Sequence, residues 1–396
     1  MKKRLRHTIT FWLLKPFIYG YLKLKYRAKV KKYKPPKNEH GPYLILSNHV
    51  LNWDPFLLAN SFRFPIFYVA SDMIFSIPFW SKVIRYLVSP IPKTKYRSDM
   101  ETIRDMIKMV KSGGSVCIFP EGNATFHGDL MPIDQSIVKL VKLLKIPVVL
   151  YNIEGAYYSH PRWSNHVRKG NIRGFVKTVL YYDEYKDLNN DILYDLIIEH
   201  LTVDDRAYKE SNQITYKSKA LAEDIETAQF YCPVCHSFDH LITKNHTVFC
   251  SSCDFKGVLD SELRLKDTKG NVIYDTNKAW YDDGMRALEA HIQSLKKDDI
   301  IFQDDNEAVL DVIRSKAKTP IGQARLILTK TMVSMQFQDS TTISLDPNHL
   351  NVSVQQKNKL IIYDKERKKT YYLLSHKKRN AFKYECAVNL IKKGAN

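Results

Sequence analysis

The chain has 396 residues, too many for one ordinary domain, and its 44% hydrophobic and 26% charged residues exclude a disordered or fibrous protein. Its 61 Lys and Arg against 42 Asp and Glu leave a net charge of +19, which calls for an anionic partner: nucleic acid, a membrane surface or a phosphorylated substrate. The surplus is uneven, because twelve Lys and Arg fall at or before Lys34 while the first acid is Glu39.

Within this basic arm lies FWLLKPFIYGYLKL, residues 11–24, interrupted by Lys15 and Pro16. A spanning helix needs roughly 20 uninterrupted apolar residues, and a secretory signal needs a small-residue cleavage site. Neither is present here. Aromatic and aliphatic side chains flanked by cations suit a segment lying on a membrane and held by acidic headgroups. Residues 1–40 are therefore expected to be a basic amphipathic docking segment of a peripheral membrane protein on the cytoplasmic face. The plainer alternative is a basic helix packed on its own domain. A nucleic-acid partner is not expected, since such arms rarely carry Phe-Trp-Leu-Leu.

From residue 41 to about 202 short apolar runs alternate with helical stretches. PYLILS (42–47), IFYVA (66–70), SVCIFP (115–120) and IPVVLYNI (146–153) predict buried strands, with FVKTVLYYDEY as a last one. FLLANSF, IPFWSKVIRYL, SDMETIRDMIKMVKSGG, SIVKLVKLL and LNNDILYDLIIEHL (188–201) predict helices, the third opened by a Ser98–Glu101 capping box. The pattern predicts an α/β domain with a mostly parallel sheet flanked by helices, and with chemistry at the carboxyl edge of the strands.

Two polar groups stand at that edge. His49 follows the first strand and Asp54 comes five residues later, before Pro55. On a continuous helix a five-residue step turns roughly 140°, so the two converge only if residues 49–53 form a loop. Asp54-Pro55 then suits a helix start, with Asp54 as its cap. Either Asp54 merely caps, or it orients the His49 imidazole as a general base toward a hydroxyl. The second layout is FPEG, 119–122, where Glu121 follows another buried strand and Gly122 permits close backbone approach. SPIPKTKYR, 89–97, adds Lys93, Lys95 and Arg97, cations suited to an anionic headgroup.

NHVLNWD resembles the NHxxxxD box of the glycerolipid acyltransferase family, whose best-known members are the 1-acyl-glycerol-3-phosphate acyltransferases. FPEG resembles that family's third box and IPVV (146–149) its fourth, and the resemblance covers about residues 10–200. It implies acyl transfer from a thioester on CoA or acyl carrier protein to a lysolipid hydroxyl, giving phosphatidic acid. His49 would be the base and Asp54 its orienter; Asn48, Lys93, Glu121 and Gly122 would bind the acceptor. Two departures bear on the acceptor headgroup. The second box usually reads like Ile-Asp-Arg and here is Ile91-Pro92-Lys93. The third is usually followed by Thr-Arg or Ser-Arg and here by Asn123-Ala124-Thr125. Another lysolipid or glycolipid acceptor is the alternative within the reaction. A non-enzymatic membrane-bound adaptor is the alternative outside it.

Residues 203–230 are polar and predict a linker. Cys232, Cys235, Cys250 and Cys253 form two Cys-x-x-Cys pairs separated by fourteen residues. Four thiolates suit a structural Zn²⁺ in a ribbon spanning 231–258, with no open position for chemistry, and His236, His240 and His246 are expected bystanders. Residues 259–396 predict a small β-rich domain, loosely similar to pleckstrin-homology modules. Its strands are expected at RLILTKTMVSMQF, TTISL, LNVSVQQ, KLIIYD and TYYLL. NAFKYECAVNLIKK closes it as a helix, with Phe382, Cys386, Leu390 and Ile391 on one face.

Overall fold

The structure is a computed structural model, and it describes all residues except 1, 38, 40, 72–88, 94–99, 314–316, 356–357, 376–379 and 395–396. The helix expected at IPFWSKVIRYL, together with Lys95, Arg97 and Ser98, lies outside the described residues. The chain forms two compact units, residues 1–162 with 167–218, and residues 163–166 with 219–396.

The first unit is built on a seven-stranded sheet. Its strands are β1 (Lys29–Val30), β2 (Leu44–Ser47), β3 (Ile66–Ser71), β4 (Ile91–Lys93), β5 (Ser115–Ile118), β6 (Val148–Glu154) and β7 (Arg173–Leu180). Their order is β1-β7-β6-β2-β5-β3-β4, parallel except where β7 runs against β6. All four residues of β2 are buried, as a strand covered on both faces requires. Helix α1 spans Lys2–Tyr26, α2 Asp54–Ala59, α3 Met100–Lys111, α4 Ser136–Leu144 and α5 Asn190–Leu201. Met106 of α3 packs with Phe67, Ile91 and Val116. Ile137, Val138 and Val141 of α4 and Leu193 and Ile197 of α5 share a cluster with Leu44, Leu46 and Val148.

Helix α1 runs unbroken through Pro16. Phe11, Leu22 and Tyr26 are buried, and His7 Nε2–H donates to the Ile66 carbonyl at 2.9 Å. Leu5, Ile9, Leu13, Phe17 and Leu24 form a second row on the other side, and each is more than half exposed. The expected amphipathic segment is thus apolar on two faces, because one apolar row is already used against α2 and β3 and another remains outside. No described helix is long and apolar enough to cross a membrane.

The expected linker is ordered. Helix α6, Asp205–Ser211, is capped by Asp204, and Tyr216, Ala222 and Ile225 are fully buried. The second unit begins with a five-stranded antiparallel sheet, β8 (Leu241–Lys244), β9 (Thr247–Cys250), β10 (Lys256–Leu259), β11 (Leu265–Asp267) and β12 (Val272–Tyr274), so pairing continues past residue 258. Helix α7, Asn277–Ser294, follows, capped by Thr276.

A second seven-stranded sheet has the order β16-β15-β14-β13-β19-β18-β17. These strands are β13 (Phe302–Ile313), β14 (Ala317–Leu328), β15 (Val333–Phe337), β16 (Thr342–Leu345), β17 (Leu350–Gln355), β18 (Lys359–Asp364) and β19 (Lys369–Ser375). RLILTKTMVSMQF is two strands, not one: Thr329 Oγ1 accepts from Met332 N–H and its own N–H donates to the Met332 carbonyl, which closes a turn. Helix α8, Phe382–Gly394, ends the chain, its first turns buried nearly all round.

Candidate active site

Strand β2 delivers Asn48 and His49 to the carboxyl edge of the sheet, and residues 49–53 form the loop that the spacing requires. Asp54 opens α2 but does not cap it. Its Oδ2 turns back and accepts from Val50 N–H at 2.7 Å and Leu51 N–H at 2.8 Å, and lies 2.8 Å from His49 Nδ1. Two backbone donors fix this oxygen, so the third partner is an Nδ1–H and the lone pair of the neutral ring sits on Nε2. Asp54 is fully buried while the His49 side chain keeps 18% exposure, which leaves the ring within reach of a ligand. Phe119 packs against that ring, with centroids 4.4 Å apart.

The loop after β5 braces His49 through its backbone. His49 N–H donates to Glu121 Oε1 at 2.6 Å, and the His49 carbonyl accepts from Thr125 N–H at 3.1 Å. Glu121 Oε2 accepts from Met131 N–H at 2.7 Å. Both Glu121 oxygens are therefore engaged with backbone, and burial pushes its carboxyl up to about 8 against these stabilising hydrogen bonds. Phe119–Gly122 is a tight turn closed by Gly122 N–H on the Phe119 carbonyl at 3.0 Å. Gly122 has φ +72°, and nothing stands within 4 Å of where a Cβ would lie, so the backbone conformation, not crowding, calls for glycine.

Asn48 is buried and stitches two strands together. Its Nδ2 donates to the Ile153 carbonyl at 3.0 Å and its Oδ1 accepts from Ile153 N–H at 2.9 Å, extending the β2–β6 pairing by a side chain. Lys93 ends β4 and is exposed. Register places it level with Asn48, since Ile45 pairs Cys117, Cys117 pairs Tyr68, and Ser71 pairs Lys93. It stands three strands away from β2, roughly 14 Å at the usual strand spacing. Its charge acts on Asp134, whose carboxyl is lowered first by the Ser136 hydroxyl and backbone.

Another cation escapes sequence reading. Arg162 donates to the Ala124 carbonyl at 2.8 Å and its guanidinium lies 4.0 Å from the Phe126 ring centroid. It thus clasps the same loop that Thr125 ties to His49. Nothing in SHPRWSN marks it, because the contact spans 38 residues of chain.

In the second unit the four sulfurs of Cys232, Cys235, Cys250 and Cys253 lie within 4.8 Å of one another and form a site able to hold one metal ion. Cys232 and Cys253 sulfurs are 3.8 Å apart, and those of Cys235 and Cys250 3.7 Å. A tetrahedron with metal–sulfur bonds of about 2.3 Å has edges of roughly 3.8 Å, so the four residues fit a zinc-sized tetrathiolate. The neighbouring imidazoles are engaged elsewhere: His236 with Tyr231, His240 with Ser251 and His246 with Leu221 N–H.

Comparison with known proteins matches residues 27–153 to the family described as Acyltransferase. A 1-acyl-sn-glycerol-3-phosphate acyltransferase of Borreliella burgdorferi is 30% identical over 115 residues, 28% of this chain and 45% of that protein. A chloroplastic 1-acyl-sn-glycerol-3-phosphate acyltransferase of Brassica napus is 24% identical over 162 residues, 39% of this chain and 46% of that protein. The chain thus spans somewhat less than half the length of each of these relatives. The crystal structure of the 1-acyl-sn-glycerophosphate acyltransferase of Thermotoga maritima aligns with 51% of this chain and 79% of its own, at 18% identity and a TM-score of 0.41.

Proposed function

Residues 27–153 make this chain a member of the glycerolipid acyltransferase family, and from that premise we propose that it is a membrane-associated O-acyltransferase acting on 1-acyl-glycerol-3-phosphate. The donor would be an acyl thioester on CoA or acyl carrier protein, and the product phosphatidic acid. The observation that carries this reading is the grip of three donors on Asp54 Oδ2, which leaves His49 Nε2 as the basic nitrogen.

The acceptor hydroxyl gives its proton to Nε2 as its oxygen bonds to the thioester carbonyl carbon. Collapse breaks the carbon–sulfur bond, and the departing thiolate takes the proton back from the imidazolium. Asp54 holds the ring and balances its transient charge; no acyl-enzyme forms. Glu121 acts by fixing the His49 backbone. Arg162 and Lys93 are the cations offered to the acceptor phosphate, with Arg162 joined by hydrogen bonds to the His49 loop.

The outer apolar row of α1 supports docking on a bilayer, where the amphiphilic acceptor resides. The basic arm favours the anionic cytoplasmic leaflet. Tyr21 of α1 packs against Trp53 in the His49 loop at 5.1 Å, so the docked helix would adjoin the reacting edge. Cys232, Cys235, Cys250 and Cys253 would hold a structural Zn²⁺, which supplies folding free energy and leaves no open position for a substrate.

The test is transfer by the full chain on vesicles carrying lysophosphatidic acid, with labelled acyl-CoA or acyl carrier protein as donor. Labelled phosphatidic acid is expected. Product from another lysolipid alone would reassign the acceptor, and no product from any lysolipid with either donor would sink the enzyme reading.

A further inference from the structure

Three cations meet at the far end of α2, away from the chemistry above. The helix ends at Ala59 with Asn60 as its cap, and the carbonyls of Asn60 and Ser61, just past its end, face residues 32–33 of the basic arm. Tyr33 N–H donates to the Ser61 carbonyl at 2.8 Å and pins that segment beside residues 60–62. On either side of this pin, Lys32 Nζ donates to the Asn60 carbonyl and Lys15 Nζ, from α1, donates to the Phe62 carbonyl. Arg63 is the next residue and is exposed. Aromatic rings fence the two ammonium groups: Phe11 and Trp12 lie 4.7 and 5.1 Å from Lys15, and Tyr19 lies 5.6 Å from Lys32.

A single ammonium would satisfy the end of a six-residue helix. Two ammonium groups on carbonyls two residues apart, with Arg63 next in the chain, do more than that, and they raise the local repulsion. Among the described residues none of the three forms an ion pair with a carboxylate. Lys15 is held down to about 8, by burial first and then by Lys32 and Arg63, and Lys32 is lowered by burial and Arg63. The cluster adjoins the helix whose outer row is apolar.

We propose that Lys15, Lys32 and Arg63 form a binding site for the phosphate of an anionic membrane phospholipid, which clamps α1 and the start of the acyltransferase domain to one headgroup. The inference rests on the docking reading above and adds to it a defined site whose ligand is neither the acyl donor nor the acceptor. An anion there would supply the missing counter-charge for all three groups at once, while the exposed row of α1 enters the acyl region.

The experiment is sedimentation of the full-length protein with phosphatidylcholine vesicles, with and without phosphatidylglycerol, at fixed salt. The wild type is compared with a Lys32→Ser/Arg63→Ser variant and with a control pair on α3, Lys108→Ser/Lys111→Ser. On phosphatidylglycerol the site variant should lose roughly thirtyfold in partitioning, at about fivefold per cation. The control pair should lose much less, and binding to neutral vesicles should stay unchanged in all three. Equal losses in both pairs would mean a diffuse field, which overturns the site. Inorganic phosphate forms the second arm. If it raises the melting temperature of the wild type but not of the site variant, while vesicle binding is the same for both, the site takes a free anion and the lipid assignment falls. Failure of the wild type to bind neutral vesicles would instead remove docking by α1, and the phosphatidylglycerol increment would still decide the fate of the cation cluster. Unchanged transfer to detergent-dispersed lysophosphatidic acid certifies the fold of each variant.

Discussion

The His49 site and the cysteine cluster are held in opposite ways. At His49 each polar group has a different partner: Asp54 takes three donors on one oxygen, Glu121 spans two backbone amides, and one imidazole nitrogen is left over. In the cluster four sulfurs lie within 4.8 Å of one another, and a metal held by all four would have no position left over. An asymmetric site with a spare basic atom can move a proton; a closed symmetric one can only stabilise. The difference separates reactivity from stability within one chain, and it can be attacked from either end.

The largest effect is expected from the metal. Removal of zinc with a strong chelator, or Cys250→Ser, should abolish the thermal transition of the β8–β12 sheet, since structural zinc binding is worth about 10–16 kcal/mol in comparable small sites. Metal analysis should give one zinc per chain before treatment. A transfer rate that tracked zinc content in otherwise folded protein would erase the distinction, because the closed site would then be acting in the chemistry.

Next comes His49→Ala. The ring contributes one hydrogen bond and is partly exposed, so the melting temperature should move little, while kcat falls by about 10²- to 10⁴-fold. Retained transfer would remove the spare nitrogen from the account.

Asp54→Asn sharpens the contrast further. Among the described residues Asp54 Oδ1 is buried with no hydrogen-bond partner, so an amide can keep its oxygen toward Val50, Leu51 and His49 and put its nitrogen in the Oδ1 position. The tautomer would survive and the charge would not. A smaller loss, roughly 10- to 100-fold in kcat, is expected, with about 1–3 kcal/mol of stability lost to the unpaired buried amide. A loss as deep as that of His49→Ala would mean that Asp54 does more than balance charge.

The two regions also differ in how much the sequence discloses. Four cysteines at close spacing announce their shared site because every ligand is in the pattern. The short apolar runs of β2, β5 and β6 announce the sheet edge, and a loop between His49 and Asp54 follows from helical angles. What each group does there is non-local. Asp54 before Pro55 suits a cap, yet its oxygen turns to Val50 and Leu51. Glu121 finds His49 across 72 residues and Arg162 finds Ala124 across 38, distances at which no spacing rule operates. Strand β13 is hidden by Gln303-Asp304-Asp305-Asn306, poor strand formers carried into the strand because Gln303 and Asp304 pair with Ile327 and Leu326 of β14, while β19 joins the other side from Glu307 onward. Helix α1 hides its second apolar row because periodicity fades when two faces are apolar.

The smallest effect concerns Glu121, the link between the loop after β5 and His49. Its folded carboxyl is raised from an ordinary 4.5 to about 8, so between those values the folded chain binds more protons than the unfolded one. The Glu121 contribution to stability is therefore fully present below about pH 4.5 and is lost as pH rises through 8. Asp205, buried and raised to about 7, adds a slope of the same sign, so the quantity to measure is the difference between wild type and Glu121→Gln. The wild type should lose stability relative to the variant as pH goes from 5 to 8. At pH 5 the variant should already be weaker by about 1–3 kcal/mol, because its amide nitrogen faces either His49 N–H or Met131 N–H where an acceptor is needed. Parallel pH profiles would show that Glu121 is solvated, and His49 would then lack the backbone brace that sets this site apart from the cysteine cluster.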